Sequence, residues 1–229
     1  MPEDAKELRI AEKILAEPGC ARLIDWGLRE YGEVLAMQEK LREERRAGSI
    51  PDTWLAGEHP TVITQGVRGN SADVATYATI PVHTIDRGGM TTLHNPGQLV
   101  IYPIVRTREG LLAQARLSRA LLEASAELIE AVSGVRPEIE RGRPGLFVGG
   151  RKLAAIGISI RGRVSMHGIA INLCNDLAPW RWIVPCGEPS TRPVTLSEVA
   201  GRKFEPAEMA ALLPGWLKTS WGYRETITN

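Results

Sequence analysis

Hydrophobic residues recur at helical spacing in two long segments of the chain. Residues 29–46 form the first, and its shared face carries Tyr31, Val34, Leu35, Gln38 and Leu41, with Gly48 beyond its end. Residues 111–132 form the second, and its predicted face carries Leu111, Ala115, Ser118, Leu122, Ser125, Ile129 and Val132. The pattern also predicts shorter helices over residues 6–16 and 205–216.

Between these helices the chain contains short apolar runs that predict β-strands. They cover residues 51–58, 61–65, 80–86, 99–105, 146–148, 152–160 and 164–173. Gly149-Gly150 predicts a two-residue hairpin turn, and Arg161-Gly162-Arg163 predicts a second turn. Strands cluster in the middle with helices on either side, and no linker or repeat divides the chain. We therefore expect a single α+β (mixed α/β) domain over residues 1–229, with antiparallel strand pairs.

Composition and charge exclude several classes of protein. The chain has 229 residues, of which 43% are hydrophobic and 24% charged, as in an ordinary globular protein. Twenty-eight basic residues oppose 27 acidic ones, so no global field attracts nucleic acid. Its apolar runs are far shorter than the roughly 20 residues that span a bilayer, so no membrane association is expected. The charged N-terminus has no apolar core of a signal peptide, which predicts a cytoplasmic protein.

Three cysteines occur at wide spacing, which predicts reduced thiols. Cys186 stands between Pro185 and Gly187, which leave little side-chain cover around it. It is either an accessible nucleophile or a small buried hydrophobe, as many free cysteines are. Cys174 follows a regular apolar run and Cys20 has no polar neighbours in sequence, so both are predicted to be packing residues. No CxxC or HExxH pattern predicts a metal site.

Lys152 follows the Gly149-Gly150 turn and shares strand parity with Ala154, Ile156, Ile158 and Ile160. If that face is the core face, the ammonium lies among apolar side chains, which favour the neutral amine and suit it to proton transfer. Otherwise Lys152 is a solvated hairpin residue. Sequence periodicity leaves both alternatives open.

Residues 87–98 connect two predicted strands and are expected to form a loop. Gly88-Gly89 and Pro96-Gly97 bracket Thr91, Thr92 and His94, and such a loop can bring backbone N–H groups close to a ligand. The spacing of a phosphate-binding P-loop is absent. His94 and His167 are either site residues or hydrogen-bonded core residues, whereas His59 and His83 are expected to be structural.

Four sequence blocks together resemble the octanoyltransferases of protein lipoylation. The blocks are residues 57–66, residues 86–99, residues 150–157, and the run from His167 to Asn172 with Pro185-Cys186-Gly187. Their order and spacing agree over about residues 20–200. The resemblance implies the fold of lipoate and biotin ligases, a mixed, largely antiparallel sheet flanked by helices.

The resemblance also implies an activity, partners and site residues. The family transfers an octanoyl group from octanoyl-acyl carrier protein to a lysine of lipoyl domains in 2-oxoacid dehydrogenase complexes and of the glycine cleavage H protein. We expect no cofactor and a monomer. By position, Cys186 is the acyl-thioester nucleophile and Lys152 the residue that tunes it. The walls of the acyl pocket are then Arg87, Gly88, Gly89, Met90, Thr91, Thr92, Leu93, His94, Ala155, Ile156, Gly157, Gly168, Ile169 and Ala170.

Two positions depart from the family pattern, and other functions remain alternatives. The family usually has Gly at Asn95 and often Tyr at Leu93, so both departures are expected to reshape the pocket. An ATP-dependent lipoate or biotin ligase, or an inactive paralogue acting as a binding protein, are the alternatives. Arg151, Arg161 and Arg163 either dock an acidic donor protein or belong to solvated turns.

Overall fold

The structure, a computed structural model, describes residues 14–16, 19–75, 79–108, 110, 112–183 and 191–228. Within these ranges, ten strands form two sheets. Seven strands build the larger sheet: β1 (Cys20–Leu28), β2 (Asp52–Glu58), β6 (Gln98–Ile104), β7 (Leu146–Val148), β8 (Arg151–Arg161), β9 (Val164–Asn172) and β10 (Glu225–Thr228). Their order is β10-β1-β2-β6-β9-β8-β7, with parallel pairing only at β10-β1 and β1-β2. The smaller sheet has the order β4-β3-β5, from β3 (Val62–Gln65), β4 (Val82–Thr84) and β5 (Thr91–His94).

Helices cover both faces of the larger sheet. Helix α1 (Tyr31–Ala47) packs Val34 and Leu41 onto one face, and α2 (Ala113–Ser133) packs Leu117 and Leu121 onto the other. Three short helices follow: α3 (Leu196–Ala200), α4 (Pro206–Ala210) and α5 (Leu213–Trp221). The predicted α+β class, with a mixed and largely antiparallel sheet between helices, is confirmed.

Several elements differ from their predicted form. In α2, Leu122, Ser125 and Ile129 are buried as predicted, but the N-terminal half buries Leu117 instead of Ala115. A leucine removes more apolar area from water than an alanine, and this decides which face turns inward. The predicted helix over residues 205–216 is interrupted after Ala210, because Pro214 has no N–H to continue it and instead starts α5.

The segment predicted as a loop between residues 87 and 98 contains strand β5. Its polar residues Thr91, Thr92 and His94 are buried, so the strand lacks the apolar alternation that would reveal it in sequence. Strands β1 and β10 were also not predicted. Both turns are confirmed: Gly149 and Gly150 have φ of +56° and +72°, and β7 and β8 pair across them.

Of the helix predicted over residues 6–16, only residues 14–16 are described, and Leu15 bridges to Thr107 there. Within the described ranges, every helix is too short or too polar to cross a bilayer.

Asp52 at the start of β2 forms a buried ion pair with Arg45 and hydrogen bonds to two more distant segments. The Asp52 carboxylate accepts hydrogen bonds from Arg45 Nε at 2.7 Å, the Arg106 backbone N–H at 2.9 Å and the Tyr223 hydroxyl at 2.9 Å. Asp52 is 1% exposed. Removing it leaves the buried Arg45 guanidinium without its carboxylate.

We expect Asp52→Ala to lower the free energy of unfolding by about 3–5 kcal/mol, the usual cost of breaking a buried ion pair on one side. Urea denaturation measures this. Glu43→Ala, which breaks an exposed pair with Arg46, is the matched control and should cost less than about 1 kcal/mol. Equal costs for the two substitutions would contradict this role of Asp52.

Candidate active site

One cavity of about 120 Å³ lies between the smaller sheet, β8 and β9. Among the predicted pocket residues, all but Gly88 and Leu93 line it. The lining comprises Arg87, Gly89, Met90, Thr91, Thr92, His94, Ala155, Ile156, Gly157, Gly168, Ile169 and Ala170, and also Tyr31, Arg68, Val100, Tyr102, Gly142, Pro144 and His167. Residues from four distant parts of the sequence therefore meet at one site.

Glycines in the cavity wall allow neighbouring segments to approach closely. Gly157 and Gly168 are direct partners across β8 and β9. A Cβ at Gly168 would lie 2.0 Å from the Ile101 carbonyl oxygen, and a Cβ at Gly157 would lie 2.6 Å from that of Gly88. Gly88 lies outside the cavity because its backbone packs onto β8, where its N–H donates to the Ile158 carbonyl at 3.2 Å.

Arg87 fastens this segment to the smaller sheet. Its Nη2 donates to the Thr64 carbonyl at 2.9 Å and to Thr64 Oγ1 at 3.1 Å, while Nη1 donates to the Gly88 carbonyl at 3.0 Å. The side chain is 7% exposed. A buried guanidinium with several carbonyl and hydroxyl partners fixes the loop rigidly.

A chain of hydrogen bonds continues from Thr64 toward β8. Thr64 Oγ1 lies 3.5 Å from His94 Nε2, and His94 Nδ1 lies 2.7 Å from Gln98 Oε1. Gln98 Nε2 donates to Asn172 Oδ1 at 2.9 Å, and Asn172 Nδ2 donates to the Lys152 carbonyl at 3.4 Å. Burial lowers the pKa of His94 to about 3, so the ring is neutral and Nδ1–H donates to Gln98. The network links the wall of the cavity to the backbone of Lys152.

His167 occupies a strained position in β9. Its φ is +59°, which a side-chain-bearing residue rarely adopts, and Gln38 Oε1 accepts its backbone N–H at 2.8 Å. His167 Nε2 lies 2.9 Å from Asp86 Oδ1. Burial lowers the pKa of His167, whereas the hydrogen bond from His167 lowers the pKa of Asp86. The ring is therefore neutral, with Nε2–H donating to an ionised carboxylate and a lone pair on Nδ1.

An aromatic group that sequence reasoning did not assign to the site closes another side of the cavity. Tyr31 stacks near His94, with ring centroids 6.1 Å apart, and the Tyr102 hydroxyl lies 3.1 Å from His59 Nε2. Burial lowers the pKa of His59 to about 4 and raises that of Tyr102, so a neutral ring meets a neutral phenol. Helical spacing predicts the burial of Tyr31, but no pattern in the sequence connects it with β6.

Lys152 is buried, with 1% of its surface exposed, so the solvated alternative is wrong. Its pairing contains a β-bulge: Phe147 pairs with Lys152 but Leu146 pairs with Ala154. Leu153 and Ala154 both join the core beneath α2. The extra residue reverses the alternation of side chains between the two faces of the sheet. Lys152 therefore lies on the same face as Ala155 and not, as predicted, on the face of Ala154.

The surroundings of Lys152 connect it with one end of the cavity. Its Nζ lies 5.4 Å from the centroid of the Phe147 ring, and a Cβ at Gly145 would lie 3.4 Å from its Cε. Gly142 and Pro144, in the same short loop as Gly145, line the cavity. The loop therefore contacts both Lys152 and the cavity.

Cys186 lies outside the described residues, but the chain on both sides of it is held in place. Ile183 bridges to Val74 on one side. On the other, the Lys152 N–H donates to the Arg192 carbonyl at 2.8 Å, and the Val194 N–H donates to the Lys152 carbonyl at 3.0 Å. Residues 192–194, six to eight positions after Cys186 in sequence, thus run beside Lys152.

The two family departures lie away from the cavity. Leu93 packs against Ile63, Trp180 and Ile183, because it points to the opposite side of β5 from Thr92 and His94. Asn95 donates to the Asp176 carbonyl at 2.7 Å. Neither residue contributes to the cavity lining that they were expected to reshape.

Cys174 and the turn arginines have structural partners. Cys174 Sγ donates to Glu205 Oε2 at 3.5 Å, and burial raises the pKa of this thiol to about 11. Arg161 Nε lies 2.9 Å from Asp86 Oδ2, Arg163 Nε donates to the Thr107 carbonyl at 3.3 Å, and Arg151 pairs with Glu198. The three arginines thus connect their turns to other segments of the chain.

Comparison with known proteins identifies the family. A model of the lipoyl protein ligase A/B catalytic domain matches residues 30–216. The chain is 41% identical over 194 residues to an octanoyltransferase of Geobacter sulfurreducens, covering 83% of this chain and 80% of that protein. It is 36% identical over 210 residues to an octanoyltransferase of Pseudomonas entomophila, covering 92% and 96%.

A solved structure shares the fold. It is that of a putative lipoate protein ligase from T. acidophilum with bound lipoic acid, with a TM-score of 0.68 at 12% identity, covering 93% of this chain and 90% of that one. The resemblance that the four sequence blocks predict is confirmed: the chain belongs to the lipoyl protein ligase A/B catalytic domain family and is an acyltransferase.

Proposed function

We propose that the protein transfers an octanoyl group from octanoyl-acyl carrier protein to a lysine of apo lipoyl domains, through a thioester on Cys186. The observation that carries this proposal is the convergence on one cavity of residues that the octanoyltransferase resemblance assigns to the acyl pocket. The buried Lys152 lies beside Gly145, in the loop that lines one end of this cavity. Apolar lining residues such as Ile156, Ile169 and Ala170 suit an alkyl chain there.

A thioester donor suits a sulfur nucleophile. The Cys186 thiolate attacks the acyl carbonyl, the carbon–sulfur bond to the carrier breaks, and the carrier thiol leaves with a proton. The acceptor lysine amine then attacks the acyl-enzyme, which releases Cys186 as thiolate. Each step exchanges one acyl bond for another, so no ATP is consumed. Free cysteine is only a few per cent thiolate near neutral pH, so a neighbouring cation is needed.

Lys152 is the cation that we assign to this task. As an ammonium it stabilises the Cys186 thiolate and gives its proton to the departing carrier thiolate in the first step. The neutral amine that results receives the proton of the attacking lysine in the second step, which restores the ammonium beside the released thiolate. The position of Cys186 in sequence supports the pairing. Cys186 precedes Arg192 by six residues, an extended reach of at most about 22 Å, and the Arg192 carbonyl accepts the Lys152 N–H.

We further propose the acceptors and setting that the family resemblance implies. These are the lipoyl domains of 2-oxoacid dehydrogenases and the glycine cleavage H protein, with the enzyme acting in the cytoplasm as a monomeric, single catalytic domain. A likeness to an octanoyltransferase at 41% identity supports the acyl group, and the lipoyl ligase family supports the class of acceptor.

The experiment that tests this function compares two donors. Purified protein is mixed with an apo lipoyl domain and either octanoyl-acyl carrier protein without ATP, or free octanoate with ATP and Mg²⁺. We expect an octanoylated lipoyl domain, detected by its mass, only with the carrier-bound donor. Product formed only from free octanoate and ATP would instead identify a ligase, and no product from either donor would favour a binding protein.

A further inference from the structure

Two polar atoms of the cavity residues are buried without a hydrogen-bond partner. Among the described residues, neither Thr92 Oγ1 nor His167 Nδ1 makes a hydrogen bond. Thr92 is 6% and His167 1% exposed, and both line the cavity. Buried polar atoms are nearly always satisfied, so two such atoms at one cavity call for an explanation. A purely alkyl ligand offers neither of them a partner.

Both residues belong to the end of the cavity that lies far from Lys152. Gly157 is five residues beyond Lys152 on β8, or about 16 Å along the strand, and its partner Gly168 adjoins His167. A Cβ at Gly157 would lie 3.0 Å from Arg87 Cδ. Arg87 in turn binds Thr64, whose cross-strand partner is Thr92. Thr92 and His167 therefore lie near Arg87, at the end of the cavity away from Lys152.

We propose that Thr92 and His167 form a polar stop that sets the length of alkyl chain which the cavity accepts. The inference deepens the proposed function, since it takes the reactive end of the acyl group to lie at Lys152. An alkyl chain that extends as far as the stop covers Thr92 Oγ1 and His167 Nδ1 and offers neither atom a hydrogen bond. A shorter chain leaves space beside these atoms for a hydrogen-bonding group.

The polarity of the stop determines which acyl chain ends can lie against it. His167 Nδ1 carries a lone pair, because Nε2–H donates to Asp86, and a threonine hydroxyl both donates and accepts. A hydroxyl at the far end of an acyl chain can pair with both. The structure thus favours an eight-carbon chain ending in a hydroxyl over a ten-carbon chain ending in a methyl group.

The test replaces Thr92 with valine, which removes the hydroxyl at nearly the same volume. We compare kcat/KM for octanoyl, decanoyl and 8-hydroxyoctanoyl carrier proteins. One buried hydroxyl left unpaired disfavours a ligand by about tenfold, so we expect Thr92→Val to raise the decanoyl-to-octanoyl ratio about tenfold and to lower the relative rate of the 8-hydroxyoctanoyl group. Thr92→Ser, which retains the hydroxyl, should keep the original ratios.

Ser125→Ala is the matched control. Ser125 Oγ is also a buried hydroxyl without a partner among the described residues, but it lies on α2 and does not line the cavity. An unchanged ratio in folded Thr92→Val, or an equal change in Ser125→Ala, would overturn the proposal.

A binding measurement separates this inference from the proposed function. Octanoate, 8-hydroxyoctanoate and decanoate are titrated, and the shift in melting temperature is recorded for wild type and Thr92→Val. Lack of transfer from every carrier refutes the proposed function alone. The polar stop is then supported by a larger decanoate shift in Thr92→Val and refuted by equal shifts in the two proteins.

Discussion

Replacing Cys186 with alanine is expected to abolish both acyl-enzyme formation and transfer, lowering the rate by at least about 10³-fold. The expectation follows from the proposed chemistry, because alanine has no atom that can carry the acyl group between donor and acceptor. Intact mass spectrometry after mixing with octanoyl-acyl carrier protein measures the adduct, and octanoylation of a lipoyl domain measures the transfer.

Cys174→Ala is the control for this prediction. Cys174 is the nearest other cysteine in sequence, but its thiol is held protonated by burial and by the hydrogen bond to Glu205, and its pKa is raised to about 11. We expect this variant to keep the adduct and the transfer rate. An adduct that survives in Cys186→Ala and disappears in Cys174→Ala would move the nucleophile to Cys174 and refute the assignment.

The sequence predicts those parts of the fold that local patterns determine. The hairpin at Gly149-Gly150 follows from two residues that adopt positive φ at no steric cost, and α1 follows from its helical periodicity. Motif residues such as Arg87 and Gly168 also meet as the family resemblance implies. The physical reason for glycine at such positions is the close approach of another backbone segment. This approach is visible only in the three-dimensional structure.

Features that depend on long-range packing were beyond reach of sequence reasoning. The parity of Lys152 fails at the bulge beside Leu153, since one extra residue reverses all alternation upstream of it. His167 adopts its positive φ inside a regularly paired strand, where the distant Gln38 accepts its backbone N–H. Tyr31 joins the cavity only because α1 begins beside the smaller sheet, where its ring meets His83 and His94. Each of these outcomes is set by a partner that is distant in sequence.

Lys152→Met is expected to lower the rate of transfer by about 10²–10⁴-fold, the contribution typical of a positioned proton-transfer group. Methionine has a similar length and suits the contact with the Phe147 ring, so the cavity should keep its shape. Because Lys152 has a task in both half-reactions, acyl-enzyme formation and transfer to the amine should both slow. Rapid-quench mass spectrometry of the adduct measures the first, and single-turnover transfer to the lipoyl domain measures the second.

The control for Lys152→Met is Lys40→Met, which removes an exposed lysine on α1 whose side chain is 77% accessible. We expect this variant to retain the wild-type rates. Urea denaturation of both variants distinguishes chemistry from folding, since a loss of activity without a loss of stability belongs to the proton transfer. Folded Lys152→Met with rates within about threefold of wild type would contradict the assignment, because general acid–base catalysis contributes more than this. The burial of Lys152 would then serve packing alone, and another group would have to activate the nucleophile.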